Sequence, residues 1–174
     1  DTPLRGYNGR HEWFWEPGDD DKAVYPLENL MDMYEKSVGR NATLIVGLTP
    51  NPDGVIPEGD VKRLKEWGEE IARRFGTPLA LTSGKAKKLS LDLKGKQKVN
   101  YYILQEDITL GERIRAYRVE ARTGGKWVTV AKGISVGHKR IERFGPVEAT
   151  AFRVVVEQCT DTPQIRNFSV YYAE

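Results

Sequence analysis

Disulfide chemistry is closed to this chain: its 174 residues include one cysteine, Cys159, so no intrachain bridge can form. One thiol suits a reducing compartment, and equally an exported bacterial protein built without disulfides. Long apolar runs are missing as well. None approaches the roughly 20 residues that a membrane-spanning helix needs. Charge of one sign is missing too, since 27 basic and 25 acidic residues are mixed along the chain for a formal net charge of +2. That balance gives no electrostatic reason to expect nucleic acid or an anionic membrane as partner. Histidine is scarce, with two in the chain. The run Asp19 to Asp21 therefore reads as a solvated turn rather than a metal site, and neither metal nor cofactor is expected. There is no internal repeat and no low-complexity tract. Neither an initiator methionine nor a charged-then-apolar leader precedes Asp1, so the expectation is a sequence that starts within a longer protein.

What is present has the balance of a soluble globular chain, with 39% hydrophobic residues and a mean hydropathy of -0.55. The length has room for one ordinary domain, or for a fragment plus a small one. The first 25 residues, rich in aromatics, glycine and charge, read as a loop, a short strand at Glu12 to Trp15, and a turn around Pro17 and Gly18. Pro26 opens a helix at no cost in hydrogen bonds. Leu27, Leu30, Met31, Tyr34 and Val38 follow at helical spacing, and Gly39 closes it. The nearly continuous apolar run Ala42 to Leu48 suits a strand buried on both faces, as in a parallel sheet covered by helices. A turn through Asn51, Pro52, Asp53 and Gly54 leads to a second helix, Glu58 to Phe75. Its predicted buried stripe is Val61, Leu64, Gly68, Ile71, Ala72 and Phe75, with Gly76 as C-cap. The segment 1–78 thus reads strand, helix, strand, helix, the grammar of an α/β layer.

From Leu79 the grammar changes. About seven short segments, β-branched or aromatic and alternating with period 2, follow one another between turn signals at Gly124-Gly125, Gly137 and Pro163. In RIRAYRVEAR, alternation puts Tyr117, Val119 and Ala121 on one face and mostly charged groups on the other. This spacing predicts an antiparallel β-sandwich over 79–174. The α/β segment, by contrast, looks incomplete. A parallel strand as apolar as Thr43 to Leu48 needs neighbours at both edges and helices on both faces, and 1–78 cannot supply them all. Left open, its backbone groups are costly if buried and adhesive if exposed. The expected partner is therefore the remainder of a barrel, in the same chain or as a cleaved piece.

Chemistry is suggested by RGYNGRHEWFWEPGDD, Arg5 to Asp20. Trp13, Phe14 and Trp15 lie between Glu12 and Glu16, just after His11. Glycosidases use paired carboxyls, one with a raised pKa that protonates the leaving oxygen. Apolar walls raise such a pKa, and aromatic faces stack on sugars. Taken alone, such aromatics are more often core than substrate platform, and such acids more often salt-bridged or solvated than catalytic. His11 reads as an orienting or packed residue, His138 as a surface group in its turn, and Cys159 as a buried or half-buried strand residue.

The stretch from Gly6 to Ile71 resembles glycoside hydrolase family 29, the α-L-fucosidases. The resemblance is carried by the aromatic motif, then Leu30, Asp32, Tyr34 and the run Ser37-Val38-Gly39-Arg40-Asn41. After these come the apolar strand Leu44 to Leu48, a Pro/Gly turn, and the acidic-start helix from Asp60 through Leu64. The second part, around LQEDITLGERIRAYRVEARTGGKWVTVAKG, is similar to the galactose-binding-like sandwich of these enzymes. The resemblance implies the last strands and helices of a (β/α) barrel in 1–78, followed by the sandwich in 79–174.

It also implies a retaining exo-acting hydrolase of terminal α-L-fucose, with a fucosylated glycan as substrate and periplasmic or extracellular in location. The aspartate nucleophile lies upstream of Asp1, so this piece alone is expected to be inactive. In the branch this sequence resembles, the acid/base falls on Glu12, with Glu16 as the other candidate. Trp13 aligns with an aromatic that packs on the fucose ring, although barrel packing is an equal reading. Gly39, Arg40 and Asn41 are implied to be a structural corner. The sandwich is read as structural. The alternative is a carbohydrate-binding module, with Trp127 and Tyr101 as its candidate exposed aromatics, although alternation would equally put either inside.

Overall fold

The computed structural model describes residues 1–7, 13–16 and 21–174. Two short parallel strands open the fold: β1, Thr2–Pro3, pairs with β2, Val46–Gly47. Between them runs α1, Leu27–Ser37, and after them α2, Glu58–Phe75. Pro26 and Pro57 occupy the two N-caps, where a residue locked near φ -60° prepares the first turn. Leu4, Val24 and Leu30 form the buried centre of this α/β segment, with Val46, Leu64 and Trp67 packed around them.

The strand expected at Glu12 to Trp15 is corrected. Trp13 and Phe14 lie in a bend and Trp15 is irregular, while Glu12 is outside the described residues. The strand that pairs with the apolar run is instead at Thr2–Pro3, whose proline disguises it. Proline is tolerated there because β1 is short and its first N–H, that of Thr2, makes the bond to Ile45. The run Ala42 to Leu48 is not buried on both faces either: Ile45 is 64% exposed and Leu48 38%. The stripe predicted on α2 also differs, since Val61 is 52% exposed and the buried positions are Asp60 and Arg74. Both of those charges are ion-paired, which is what makes their burial tolerable.

The sandwich is one six-stranded sheet, ordered β3-β8-β4-β7-β5-β6, folded over itself. Its strands are β3, Ala80–Gly84; β4, Lys88–Glu106; β5, Ile114–Thr123; β6, Lys126–Gly133; β7, Arg140–Cys159; and β8, Ile165–Tyr171. Two segments predicted as separate strands on each side of Lys94 are in fact one 19-residue strand, β4, and the two around Pro146 are the 20-residue β7. Each crosses from one layer to the other. The first half of β4 pairs with the second half of β7, and the halves exchange roles beyond register shifts at Asp92/Gln97 and Val99/Tyr101. Bulges bend the strands at the crossing.

Tyr117, Val119 and Ala121 face the core as predicted, packing with Tyr102, Leu104, Phe152, Val154 and Phe168. Ile114 joins them against its parity, because register shifts on either side of Ala116 reset the phase. The second half of β4 is buried on both faces. Tyr102 and Leu104 point into the sandwich, while Tyr101 and Ile103 pack with Ile141 and Tyr171 against Tyr34 of α1 and Phe75 of α2. Phe75 meets the rings of Tyr101 and Tyr171 edge-on, at 5.4 and 5.8 Å between centroids. The sandwich and the helices therefore share an aromatic seam.

Candidate functional site

Parallel strands joined by helices present the loops that follow their C-terminal ends on one side, the side where such folds carry chemistry. The connection from Gly6 to Ala23, described at Gly6, Tyr7, 13–16 and 21–23, follows β1. Its neck is closed by an antiparallel bridge between Arg5 and Val24. Three backbone bonds reinforce it: Gly6 and Tyr7 donate to the Ala23 carbonyl at 2.9 and 3.1 Å, and Tyr25 donates to Leu4 at 3.1 Å. The rings of Tyr7 and Tyr25 meet edge-on at 6.0 Å. Beneath the neck, Arg5 makes a two-point contact with Asp60 of α2, Nη2 to Oδ1 at 2.6 Å and Nε to Oδ2 at 3.2 Å.

Trp13, on this loop, returns to the strand end. A Cβ on Gly47 would lie 2.9 Å from Trp13 Cζ3, so only glycine leaves room for the indole against β2. The ring is nonetheless 45% exposed, and its neighbour Phe14 is 82% exposed. One portion of the ring packs on the strand and the remainder is open. Glu12 and His11 lie outside the described residues, as does the aspartate turn up to Asp20. Glu16 is exposed. Among the described residues no cluster of histidine, cysteine and carboxylate side chains could hold a metal ion.

The run Gly39-Arg40-Asn41 is a clasp onto the sandwich. Gly39 accepts from Ile141 N at 3.0 Å, and a side chain there would press on Ile141 Cβ at 2.8 Å. The Arg40 guanidinium donates to the Ile141 carbonyl and pairs with Glu142 at 3.2 Å. Asn41, held at φ 67°, donates its backbone N–H to Lys139 O at 3.1 Å. Its side chain accepts from His138 N at 2.7 Å and donates to Glu112 at 2.8 Å. Sequence reasoning missed the organiser of this receptor, the buried Glu106. Its carboxylate accepts from the N–H groups of Arg113, Ile114 and Gly137, at 2.8, 3.1 and 3.1 Å. No spacing signal could have found it, because all three donors are backbone.

Of the two candidate aromatics on the sandwich, Tyr101 is corrected: it is buried in the seam and cannot serve as a platform. Trp127 is half-buried, with the Arg153 guanidinium 4.2 Å above its ring. His138 is exposed and Cys159 half-buried, in keeping with their sequence readings. A cleft of about 350 Å³ opens where the helices meet the sandwich, lined by Tyr34, Phe75, Gln105, Lys139, Asn167 and Tyr171 among others. It contains no carboxylate and shares no lining residue with the 6–23 loop.

No protein-family model matches the chain. Over 93% of its length it is 31% identical to alpha-L-fucosidase 1 of Arabidopsis thaliana, covering 39% of that protein. The whole chain superposes on 40% of a crystal structure named as a candidate alpha-L-fucosidase of Bacteroides thetaiotaomicron VPI-5482, with TM-score 0.97 and 63% identity. It also superposes in full on 41% of a Ruminococcus gnavus GH29 fucosidase in complex with fucose, with TM-score 0.85 and 25% identity. The chain therefore spans about two fifths of the length of these relatives.

Proposed function

Since the chain belongs to the α-L-fucosidase family, glycoside hydrolase family 29, we propose that it forms the closing part of a retaining exo-α-L-fucosidase. In this reading residues 1–78 complete the catalytic barrel and 79–174 are a sandwich clasped to it. The substrate is a terminal α-L-fucose of a glycan, met in the periplasm or outside the cell. The aspartate nucleophile comes from polypeptide preceding Asp1, and residues 1–174 alone do not turn over. Glu12 is the acid that protonates the leaving oxygen and then the base that activates water. Trp13 is a wall of the fucose pocket.

The observation that carries the reading is the seat of Trp13: an aromatic half packed on a strand end and half open, on the loop at the side of the sheet suited to chemistry. The partner expected for the α/β segment has support in the apolar side chains it leaves uncovered, Ile45, Leu48 and Val61. Glycan binding by the sandwich alone is less favoured, with Tyr101 buried and Trp127 lying under Arg153.

The protein carrying the complete barrel is expected to hydrolyse an aryl α-L-fucoside. Glu12→Gln should suppress turnover most for poor leaving groups and least for those that need no acid assistance. Equal loss on every leaving group, or the selective pattern in Glu16→Gln instead, would remove Glu12 from the role. Absence of turnover in the parent would sink the hydrolase reading itself.

A further inference from the structure

The ion pair of Arg5 with Asp60 has no sufficient explanation in stability. Both side chains are enclosed, at 2% and 0% exposure. Taking two charges out of water costs about as much as their attraction returns, and well-packed apolar residues of similar volume often serve as well or better. What an apolar pair lacks is direction. A planar fork grips a planar carboxylate in one orientation, and here both contact points are made.

The pair sits where direction has a use. Arg5 is the residue that bridges Val24 across the neck of the 6–23 loop. Asp60 lies in the first turn of the 18-residue α2, with its own N–H on the Pro57 carbonyl at 3.1 Å. The neck is thereby tied to the end of a long helix, the stiffest element near it. At the neck the Ala23 carbonyl accepts from both Gly6 and Tyr7. Trp13 follows Arg5 by eight residues, and its indole rests where a Cβ on Gly47 would lie 2.9 Å from the ring, so a rotation of Arg5 would disturb that seat.

We infer that Arg5 and Asp60 are positioning residues, which through the Arg5–Val24 neck set the seat of Trp13 against β2. The chemistry attributed to Trp13 rests on the function proposed above; the positioning does not. The test uses the protein with its complete barrel and replaces the pair by an apolar one, Arg5→Met with Asp60→Leu. Arg5→Lys is the second variant, keeping the charge and giving up the fork.

The double variant should melt within a few degrees of the parent. It should lose on the order of a hundredfold in kcat/KM on an aryl α-L-fucoside, the scale of ångström-level misplacement, with KM raised as well as kcat lowered. Tryptic cleavage after Lys22, exposed beside the neck, should be at least about tenfold faster, because a neck untied from α2 opens more often. Arg5→Lys should fall between, and it carries the comparison if the double variant does not fold. A folded variant of either kind with parental kinetics and parental cleavage overturns the inference. If the parent shows no turnover, the hydrolase reading fails, and the cleavage rates alone still decide whether the pair positions the neck.

Discussion

Asn41 holds a backbone angle that is routine for achiral glycine but that L residues other than asparagine and aspartate seldom adopt, and it spends both ends of its amide on the sandwich. The sequence marks this run as a corner, since a small residue, a cation and an asparagine close a helix there. What the corner grips is written about a hundred residues later, in a turn that reads only as a turn. Asn41→Ala should cost about 2 kcal/mol, from the left-handed backbone and two lost side-chain bonds. Asn41→Gly should cost less, since glycine keeps the angle; urea unfolding of the two variants separates the contributions. Gly47 is a position of the opposite kind, needed for what lies over it. Gly47→Val should displace the Trp13 indole at a cost of about 1–3 kcal/mol, seen as a shift in tryptophan emission and a lower melting temperature. Emission unchanged from the parent would mean that the indole does not rest on the strand.

The helices were legible as elements because 3.6-residue spacing and flanking prolines and glycines agree on them. The function of their faces was not. On α2 the apolar stripe is partly open, while the enclosed Arg74 gathers Glu70 at 2.6 Å, Glu28 at 3.2 Å and Glu35 at 3.3 Å. Glu35 in turn accepts from the Tyr101 hydroxyl, carrying the network into the aromatic seam. The network acts on Glu70. The hydrogen bond from Arg73, joined by the bond and charge of Arg74 and only partly opposed by burial, lowers its pKa from 4.5 to about 2.

A carboxylate with a depressed native pKa stabilises the fold above its unfolded value, and that stability is lost as pH falls through the native one. The contribution of Glu70 should therefore be whole above about pH 4.5 and gone near pH 2. Glu70→Gln should melt below the parent at neutral pH and converge with it across that window. A constant difference down to pH 2 would exclude the network as the cause. The strands were legible in a different way: alternation placed the core residues of β5, yet β4 and β7 each read as two. A strand that changes layer changes which face is inside, and on paper that switch looks like an interruption.

At the scale of the whole molecule, the two segments differ in self-sufficiency. The sandwich encloses a core of its own around Tyr102, Tyr117, Phe152 and Phe168. The α/β segment leaves Ile45, Val55 and Val61 more than half exposed, on and around a pair of two-residue strands. Its incompleteness was legible from the length of the apolar run, because a parallel strand so apolar implies more sheet than 78 residues can hold. Residues 79–174 alone should melt in one cooperative transition. Residues 1–174 should self-associate or bind a hydrophobic dye through the uncovered α/β face. Calorimetry and light scattering distinguish the two, and a monomeric, dye-silent 1–174 would show that the exposed apolar groups need no cover.

The position of β8 has a consequence for how the protein is made. It is last in sequence among the strands, yet it lies inside the sheet between β3 and β4. Until Tyr171 has left the ribosome, β3 has no hydrogen-bonding partner and the exit-side edge of β4 is bare. The nascent sandwich must wait with two open edges, and closure then joins residues about ninety positions apart, such as Ala80 and Val170. Translation that stops at Gln164 should yield a chain that proteases remove, where one ending a few residues beyond Tyr171 is spared. The sandwich thus closes only once β8 has emerged.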